Sequence, residues 1–459
     1  MYDVRIECYD WRYSAAILGL VRFFDYWKIK ETNVPAEYDN SADTIEFDSR
    51  YITREKYLDF VEYYVNEILH DEMYHTKVET FLRGQESFTD EQIKRINELL
   101  KANSIMKEVY GKIKFDGNNR DEILSLLQER HYDIVEKTFQ NKKNLYANYC
   151  NSKLMGEDTQ PHCRLLGYSV DEGRKSKSYA YAFQDVTGVF RDSKYFDFIP
   201  FAFTNTMDAI FINNNYNIEN LRKSNDYIND QITIYRQKKE NEQKPLNVRS
   251  LLYQAIIQSV DFIDYDIEII IKGRDKEYFE TLYIRKDKID IVREIKDISK
   301  LMYSYKINDK YYINVGEELI QSVINGLDLS WLIELALKKE LDNSNNYAIN
   351  RLIEINMKIK GVDDMEKKLS SACACAWQVT RKLKQKGQDN KIKSYKVKLA
   401  SAMTANDKKR VYDILLQLSI YTEESFGFLY SLLDDYDKNQ EIVYAFINAL
   451  GAEPKKKEA

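Results

Sequence analysis

DWRYSAAILGLVRFFDYW, residues 10–27, is the stretch that decides the fold of the N-terminal part of this chain. Its apolar residues, among them Ala15 and Phe23, recur at helical spacing and predict a helix. The preceding YDVRIECY, residues 2–9, alternates well enough to predict a strand, and TIEF, residues 44–47, predicts another. We therefore expect the chain to begin with a mixed α and β structure.

Further along, helical and strand-like patterns follow one another. REKYLDFVEYYVNEILHDEMYH, residues 54–75, predicts a second helix, and FDFIPFAFTNTMDAIFI, residues 196–212, contains strand-like apolar runs. YDIEIIIK and YFETLYIR, residues 265–272 and 278–285, flank a Gly-Arg-Asp turn. Two such runs around a short glycine-containing turn predict a β-hairpin.

The last third of the sequence has the pattern of a helical bundle. No convincing strand pattern follows Val315, and amphipathic helical segments continue to Leu450. The motif DNSNN, residues 342–346, interrupts the helical periodicity and suggests a boundary. The sequence therefore predicts an α+β fold with small sheets and a hairpin, followed by an all-α bundle. The predicted divisions are a mixed α+β domain over residues 1–341, a helical bundle over 342–451 and a disordered tail over 452–459.

The composition is that of an ordinary globular protein. Of the 459 residues, 44% are apolar and 31% are charged, and the net charge is −6. The first residues, MYDVRIECYD, lack the pattern of a signal peptide, and the apolar run from Ala15 to Leu20 is too short to span a bilayer. Five irregularly spaced cysteines are typical of reduced thiols. We therefore expect a cytoplasmic protein without a membrane partner.

Charge is sorted by helix in the C-terminal part. Residues 376–410 contain eleven Lys or Arg and two acidic residues, a net charge of +9. Residues 411–450 contain one Lys and seven acidic residues, a net charge of −6. A face with so few acids attracts a phosphate backbone, whereas ordinary solvated helices, the alternative interpretation, mix both signs. The residues predicted to bind nucleic acid here are Arg381, Lys382, Lys384, Lys386, Lys391, Lys393, Lys396 and Lys398.

Two further regions are candidates for contacts to bases. EGRKSKSY, residues 172–179, is basic and is followed by aromatic residues. TNT, residues 204–206, and NNNYN, residues 213–217, are rich in amides, which pair with base edges. Asparagine is also common in turns and at helix ends, so a structural role is the alternative. The candidates are Arg174, Lys175, Lys177, Asn205, Asn213, Asn214 and Asn215.

The histidines give a weak pattern for a catalytic metal site. His70 and Asp71 form the dipeptide that metal-dependent phosphohydrolases use, but those enzymes need further ligands. On one continuous helix, His70 and His75 would lie about 140° apart and would not face one site. The sequence therefore favours a surface helix at this position.

The cysteines give no stronger pattern. Cys150, His162 and Cys163 are the best candidate zinc ligands, but their spacing lacks the C-x2-C pair of structural zinc sites. The sequence also lacks a nucleophile elbow, a recognisable catalytic triad motif and a glycine-rich phosphate loop. We therefore expect no cofactor and no catalysis, and a binding or assembly role instead.

Several segments together resemble one known family. DWRYSAAILGLVRFF, residues 10–24, resembles the DW-x-NA-x-IVGL-x-R pattern that opens many large subunits of subtype I-B Cascade, a CRISPR type I effector complex. YFDFIPFAFTNT, residues 195–206, resembles the central part of that family. The hairpin segment at residues 267–284 and the helical C-terminal part also fit. One departure is that relatives often carry paired C-x2-C motifs, whereas only Cys150 and Cys163 are comparable here, which puts zinc in doubt.

The resemblance implies a subunit of an antiviral defence complex without a nuclease site. Such a subunit lies at the 5′ end of the guide RNA, reads a protospacer-adjacent motif in double-stranded DNA and helps to form the R-loop. It also holds the displaced single strand, binds other Cascade subunits and recruits a separate helicase–nuclease. The C-terminal bundle then resembles the small subunit of such complexes. The alternatives are a metal-dependent phosphohydrolase or nuclease built on His70 and Asp71, and a stand-alone DNA-binding scaffold protein.

Overall fold

The protein forms two compact units, which are described separately. The computed structural model describes residues 2–141, 145–158, 164–166, 192–206, 208–239, 266–274, 276, 278–294, 301, 303–308, 311–339 and 346–452. The N-terminal unit consists of Met1–Val248 and Ile267–Tyr283, and the C-terminal unit consists of Arg249–Asp266 and Ile284–Ala459.

The first helix is the central element of the N-terminal unit. Helix α1, Trp11–Lys30, is buried along most of its length, as its apolar pattern predicted. It begins after Asp10, whose carboxylate accepts a hydrogen bond from the backbone N–H of Arg12 at 2.9 Å. This is the arrangement of an N-cap, in which a side-chain oxygen binds one of the unpaired N–H groups of the first turn. The prediction of a helix over residues 10–27 is confirmed.

A small antiparallel sheet packs against this helix. Strand β3, Thr44–Phe47, lies between β1, Val4–Glu7, and β2, Ala36–Tyr38. Phe47 lies opposite Val4 on one side and Ala36 on the other. The two strands predicted near the N-terminus are therefore confirmed, and β2 is an additional strand that the sequence pattern did not indicate.

The remaining α-helices of the N-terminal unit surround two hydrophobic clusters. One cluster is built around α1, and the other includes Val78, Ile96 and Tyr110. The helices are α2 (Arg54–Tyr63), α3 (Tyr74–Arg83), α4 (Asp90–Leu99), α5 (Ser104–Tyr110), α6 (Arg120–Asn141), α7 (Tyr146–Tyr149) and α8 (Ile218–Lys239).

The single helix predicted over residues 54–75 is interrupted. Helix α2 passes into a π-helical turn, Tyr64–Ile68, and His70 adopts a left-handed backbone conformation with φ of 51°. Helix α3 then begins at Tyr74. The physical reason is that the two halves belong to different cores, since Leu58 of α2 packs in the first cluster and Val78 of α3 in the second.

A second sheet has the strand order β4–β5–β6, formed by Asp208–Asn213, Ile267–Gly273 and Glu280–Ile284. Strands β5 and β6 fall within the two runs predicted to form a hairpin, although Asp275 of the predicted turn lies outside the described residues. The strand-like FDFIPF run is instead part of a 3-10 helix, Lys194–Phe201. The apolar residues of this 3-10 helix are buried against α1. The continuous apolar run in the sequence therefore indicated burial rather than a strand.

Gly19 allows this 3-10 helix to approach α1 closely. A Cβ atom at Gly19 would lie 2.1 Å from the carbonyl oxygen of Phe198, a backbone atom that cannot move away alone. We expect Gly19→Ala to lower the free energy of unfolding by about 3 kcal/mol, because overpacking a core forces backbone shifts. Chemical denaturation followed by circular dichroism measures this change.

Gly427→Ala provides the control, because no atom lies within 4 Å of the added methyl group there. We expect this substitution to change the free energy of unfolding by no more than about 0.5 kcal/mol. Equal effects of the two substitutions would contradict the close-packing account of Gly19.

The described residues of the C-terminal unit that follow β6 contain many helices and one short pair of strands, β7 (Ser304–Lys306) and β8 (Tyr312–Asn314). In the part of the chain that the structure describes, no strand follows Asn314, which confirms the α+β fold with a helical C-terminal part. Its helices are α9 (Lys286–Glu294), α10 (Val315–Asn325), α11 (Ser330–Lys339), α12 (Asn346–Ile359), α13 (Met365–Gln385), α14 (Asp389–Thr404), α15 (Lys408–Thr422), α16 (Leu429–Asp434), α17 (Tyr436–Asn439) and α18 (Glu441–Ala449).

Helix α18 forms the centre of this helical bundle. Every residue from Glu441 to Leu450 is buried, and α18 packs against α12 and α13. The predicted boundary between residues 341 and 342 falls outside the described residues and stays a prediction, as does the disordered tail, of which residues 453–459 are not described.

Candidate nucleic-acid interface

The eight basic residues predicted to bind nucleic acid lie on one helical hairpin, α13 followed by α14. We call residues 381–398 the basic hairpin. Gly387, with φ of 63°, makes the turn between the two helices, in a left-handed conformation that glycine adopts without strain. Ala372, Val379 and Leu383 of α13 are fully buried, so the charged positions between them are directed outward. All eight basic side chains are exposed or partly exposed.

The tip of the basic hairpin is held by Tyr421 of α15. Lys386 Nζ donates a hydrogen bond to the Tyr421 carbonyl oxygen at 2.9 Å and lies 5.0 Å from the ring centroid. Lys391 Nζ donates to the Tyr421 hydroxyl at 3.1 Å and lies 4.3 Å from the same centroid. The hydroxyl donates in turn to Gln388, and the bond from Lys391 lowers the pKa of Tyr421. These two lysines therefore position the turn as well as contribute charge.

The basic residues of α14 lie on both flanks of the helix. Lys391 and Lys398 are seven residues apart and share one flank, whereas Lys393 and Lys396 share the other. Ile392 lies between them on the buried face. Positive charge is therefore available along two sides of one helix, which suits a flexible phosphate backbone better than the readout of particular bases.

Glu424, one of the acidic residues predicted to be separate from this surface, lies close to it. Lys382 Nζ lies 3.9 Å from a carboxylate oxygen of Glu424, just after the end of α15. Both side chains are partly exposed, so water and salt screen this pair and it contributes little to stability. Further along, the acidic Asp437 pairs with Lys408 at 2.8 Å, away from the hairpin turn. The separation of basic from acidic residues along the sequence is therefore incomplete in the fold, because Glu424 lies close to Lys382.

Two of the asparagines proposed to contact bases are buried. Asn213 Nδ2 donates to Glu268 Oε2 at 2.7 Å, and Asn214 Nδ2 donates to Ser224 Oγ at 2.9 Å. Both side chains are engaged within the protein, so contact with a base would require these bonds to break. Asn215 is exposed beside them. Asn213 and Asn214 therefore have the structural role that was the alternative interpretation of the sequence.

Of the other residues predicted to contact nucleic acid in the N-terminal unit, the structure describes Asn205. Asn205 is partly exposed in the turn before β4. Arg174, Lys175 and Lys177 lie outside the described residues. Tyr216, which the sequence did not single out, is 72% exposed. It lies next to Asn215 in the same loop, where its ring is a candidate for stacking on a base.

Of the weak metal candidates, the structure describes Cys150, His70 and Asp71. Cys150 is buried and its thiol donates to the Phe196 carbonyl oxygen at 3.8 Å, while His162 and Cys163 lie outside the described residues. His70 is exposed in the segment between α2 and α3. Among the described residues, neither His70 nor Asp71 belongs to a group of three or more potential metal ligands.

His75 differs from the exposed His70 in lying on the buried face of α3. Its side chain is fully buried, and its Nε2 lies 2.7 Å from Glu62 Oε1. His131 Nε2 lies 3.1 Å from the other carboxylate oxygen of Glu62. Sequence spacing could not indicate this cluster, because its members come from α2, α3 and α6.

The fold and the site define the class of this protein. It is a mixed α+β protein with a helical C-terminal part, and a lysine-rich hairpin of that part is exposed. The family model described as CRISPR-associated protein Csx8 matches residues 2–450, and the chain therefore belongs to this family of CRISPR-associated proteins. Neither the curated proteins nor the solved structures contain a match to the chain. Within the described residues, every helix is too short or too polar to cross a membrane.

Proposed function

We propose that this chain is the non-catalytic large subunit of a CRISPR type I Cascade complex and that its basic hairpin holds the displaced DNA strand. Membership of a CRISPR-associated family supplies the biological setting, in which a guide RNA reads the target by base pairing. In that setting the protein itself must read a short adjacent motif and stabilise the open duplex.

The observation that carries the proposal is the exposure of the basic hairpin. Arg381, Lys384, Lys393 and Lys398 are all exposed, and the hairpin turn between them is fixed by the contacts of Lys386 and Lys391 with Tyr421. A hairpin whose turn is already fixed needs little reordering when it binds a phosphate backbone. Such binding is independent of base sequence, as required for a displaced strand that differs with every target.

The reading of the adjacent motif is assigned to loops of the N-terminal unit. The exposed Asn215 and Tyr216 supply an amide for a base edge and a ring for stacking. Arg174, Lys175 and Lys177 supply a basic segment for the phosphates flanking the motif. We assign the cleavage of DNA to a separate helicase–nuclease that the complex recruits, and the other Cascade subunits and the guide RNA are its partners.

The test uses the quadruple charge reversal Arg381→Glu, Lys384→Glu, Lys393→Glu and Lys398→Glu in the assembled, guide-loaded complex. We expect about 100-fold weaker binding of the displaced strand at low ionic strength, for every target sequence. The slope of log K against log salt concentration should fall in magnitude by about 3, because four phosphate contacts are lost. Filter binding over a salt series and permanganate footprinting of the R-loop measure both effects.

The matched control reverses four exposed lysines of α4, α5 and their connecting loops, namely Lys94, Lys101, Lys107 and Lys112. The same change in net charge at these positions should leave R-loop formation within about twofold of the wild type if the basic hairpin is the binding surface. An R-loop that forms normally in the basic-hairpin variant would refute the assignment of the hairpin. A chain that assembles with no guide RNA and no other Cascade subunit would instead favour the stand-alone scaffold protein.

A further inference from the structure

Three side chains from separate helices meet in the N-terminal unit. Glu62 lies near the end of α2, His75 in the first turn of α3 and His131 in the middle of α6. One ligand atom of each lies within 4.8 Å of the ligand atoms of the other two. The imidazole rings of His75 and His131 are 5.4 Å apart, centroid to centroid, and nearly perpendicular. Two imidazoles and one carboxylate are therefore directed at a common point.

The break between α2 and α3 creates this arrangement. The π-helical turn, Tyr64–Ile68, and the left-handed His70 turn the chain back so that His75 faces Glu62. Asn66 fixes the returning segment, since its side chain accepts a hydrogen bond from the Met73 backbone N–H at 2.8 Å. Had the helix continued unbroken, Glu62 and His75 would lie about 20 Å apart along its axis.

A purely hydrogen-bonded cluster leaves one atom unexplained. If Glu62 accepts hydrogen bonds from both histidines, each ring carries a proton on Nε2. His75 Nδ1 then lies fully buried without a hydrogen-bond partner. A buried polar atom in this state costs about 1–3 kcal/mol and points to a nearby water molecule, which is needed whether Nε2 binds Glu62 or an ion.

The cluster lies among carboxylates, which favour a cation. Glu62 lies between the two imidazoles, and the charges of Glu79 and Asp59 also act on His131.

We propose that Glu62, His75 and His131 bind a Zn²⁺ ion through one carboxylate and two imidazoles. Two histidines and a glutamate with one open position form a known type of zinc site, in which water is the fourth ligand. Glu62 and His131 are 21% and 24% exposed, so water can reach the ion from their side. The ion ties α2, α3 and α6 together, and His75, bound through Nε2, keeps its proton on Nδ1 and can donate it in a hydrogen bond to water.

The ligands need only small movements to accept the ion. Zinc lies about 2.0–2.1 Å from nitrogen and oxygen ligands, so tetrahedral ligand atoms are separated by about 3.4 Å. His75 Nε2 lies 2.7 Å from Glu62 Oε1, and His131 Nε2 lies 3.1 Å from Glu62 Oε2. Because one ligand atom from each residue lies within 4.8 Å of the other two, side-chain movements of about 1 Å or less bring them to this separation. The exposed His70, five residues before His75, takes no part.

The experiment measures zinc binding by the full-length chain after removal of metal with a chelator. We expect one equivalent of Zn²⁺ to bind, a rise in the melting temperature and, with Co²⁺, the visible absorption of a tetrahedral site. His131→Ala, a partly exposed position, should weaken binding by at least about 100-fold and remove the thermal shift, because a direct ligand is lost. Glu62→Gln provides a second variant with little change in shape.

The control variant is His70→Ala, which should bind zinc as the wild type does. A chain with Cys150→Ser and Cys163→Ser tests whether zinc binds at the cysteines instead. The proposal is overturned if the wild type binds less than one equivalent, or if binding survives both His131→Ala and Glu62→Gln. It is also overturned if only the cysteine variant loses binding.

Discussion

Replacing Arg164 by methionine is expected to lower the free energy of unfolding of the N-terminal unit by about 3–5 kcal/mol. The Arg164 side chain is fully buried and pairs with Asp192 and Asp197, each at 3.0 Å. It also donates to the carbonyl oxygens of Leu154, at 3.2 Å, and Glu157, at 2.7 Å. Removing the guanidinium leaves two buried carboxylates without their cation, which is the costly way to break a buried ion pair.

The loss should depend on pH. Burial raises the pKa of Asp197 even with Arg164 opposing this effect. A carboxyl group whose pKa is raised by folding destabilises the protein as pH rises from its unfolded value to that pKa, because the unfolded state has then lost its proton while the folded state still holds it. The difference between wild type and Arg164→Met should therefore be larger at mildly alkaline than at mildly acidic pH. Urea denaturation at several pH values measures the difference.

Lys194→Met is the matched control. Lys194 lies 3.2 Å from Asp158, but both side chains are well exposed, so this pair should contribute no more than about 1 kcal/mol. A loss from Arg164→Met as small as that from Lys194→Met would mean that Asp192 and Asp197 do not depend on the arginine.

A similar loss, about 3 kcal/mol, is expected in the C-terminal unit when Lys360 is replaced by methionine. Lys360 Nζ lies 2.6 Å from both Glu441 Oε1 and Asp328 Oδ2. The Glu441 side chain is fully buried at the start of α18, and its second oxygen has no hydrogen-bond partner. Without Lys360, this carboxylate keeps the bond from Asn356 Nδ2, at 2.9 Å, but loses its ion pair.

This network matters for the basic hairpin because α13 packs on the buried helix α18. In Lys360→Met, binding of single-stranded DNA should therefore be lost over the same temperature range in which the protein unfolds. Lys360→Met combined with Glu441→Gln should recover part of the lost stability, since no uncompensated charge is then buried. Lys408→Met, which removes the exposed pair with Asp437, is the control, and an equal effect of the two single substitutions would contradict the prediction.

The sequence predicted local structure well for helix α1 and strand β3. The helix over residues 10–27 and the strand at residues 44–47 follow from the spacing of apolar residues and are present in the structure. The apolar pattern did not predict the break between α2 and α3. The spacing of apolar residues does not show which of the two hydrophobic clusters each residue packs in. The pattern also failed for Lys194–Phe201, where apolar residues are buried on all sides of a 3-10 helix.

The candidate nucleic-acid surface could be predicted in outline only. The sorting of charge along residues 376–450 is visible in the sequence, and the exposure of the lysines follows from the spacing of the buried residues of α13. The contacts of Lys386 and Lys391 with Tyr421 could not be predicted, because α15 is brought to the hairpin turn by packing. The burial of Asn214 depends in the same way on α8, which supplies its partner Ser224.

By itself, the sequence determined the α+β class, the helical C-terminal part and the sign of the charge on each helix, because these depend on residues a few positions apart. Only the tertiary structure decided that Glu62 meets His75 and His131, and that Arg164 lies between Asp192 and Asp197. Such groupings join residues far apart in the chain. They form only when burial of the surrounding apolar surface compensates for the loss of conformational entropy on ordering these segments.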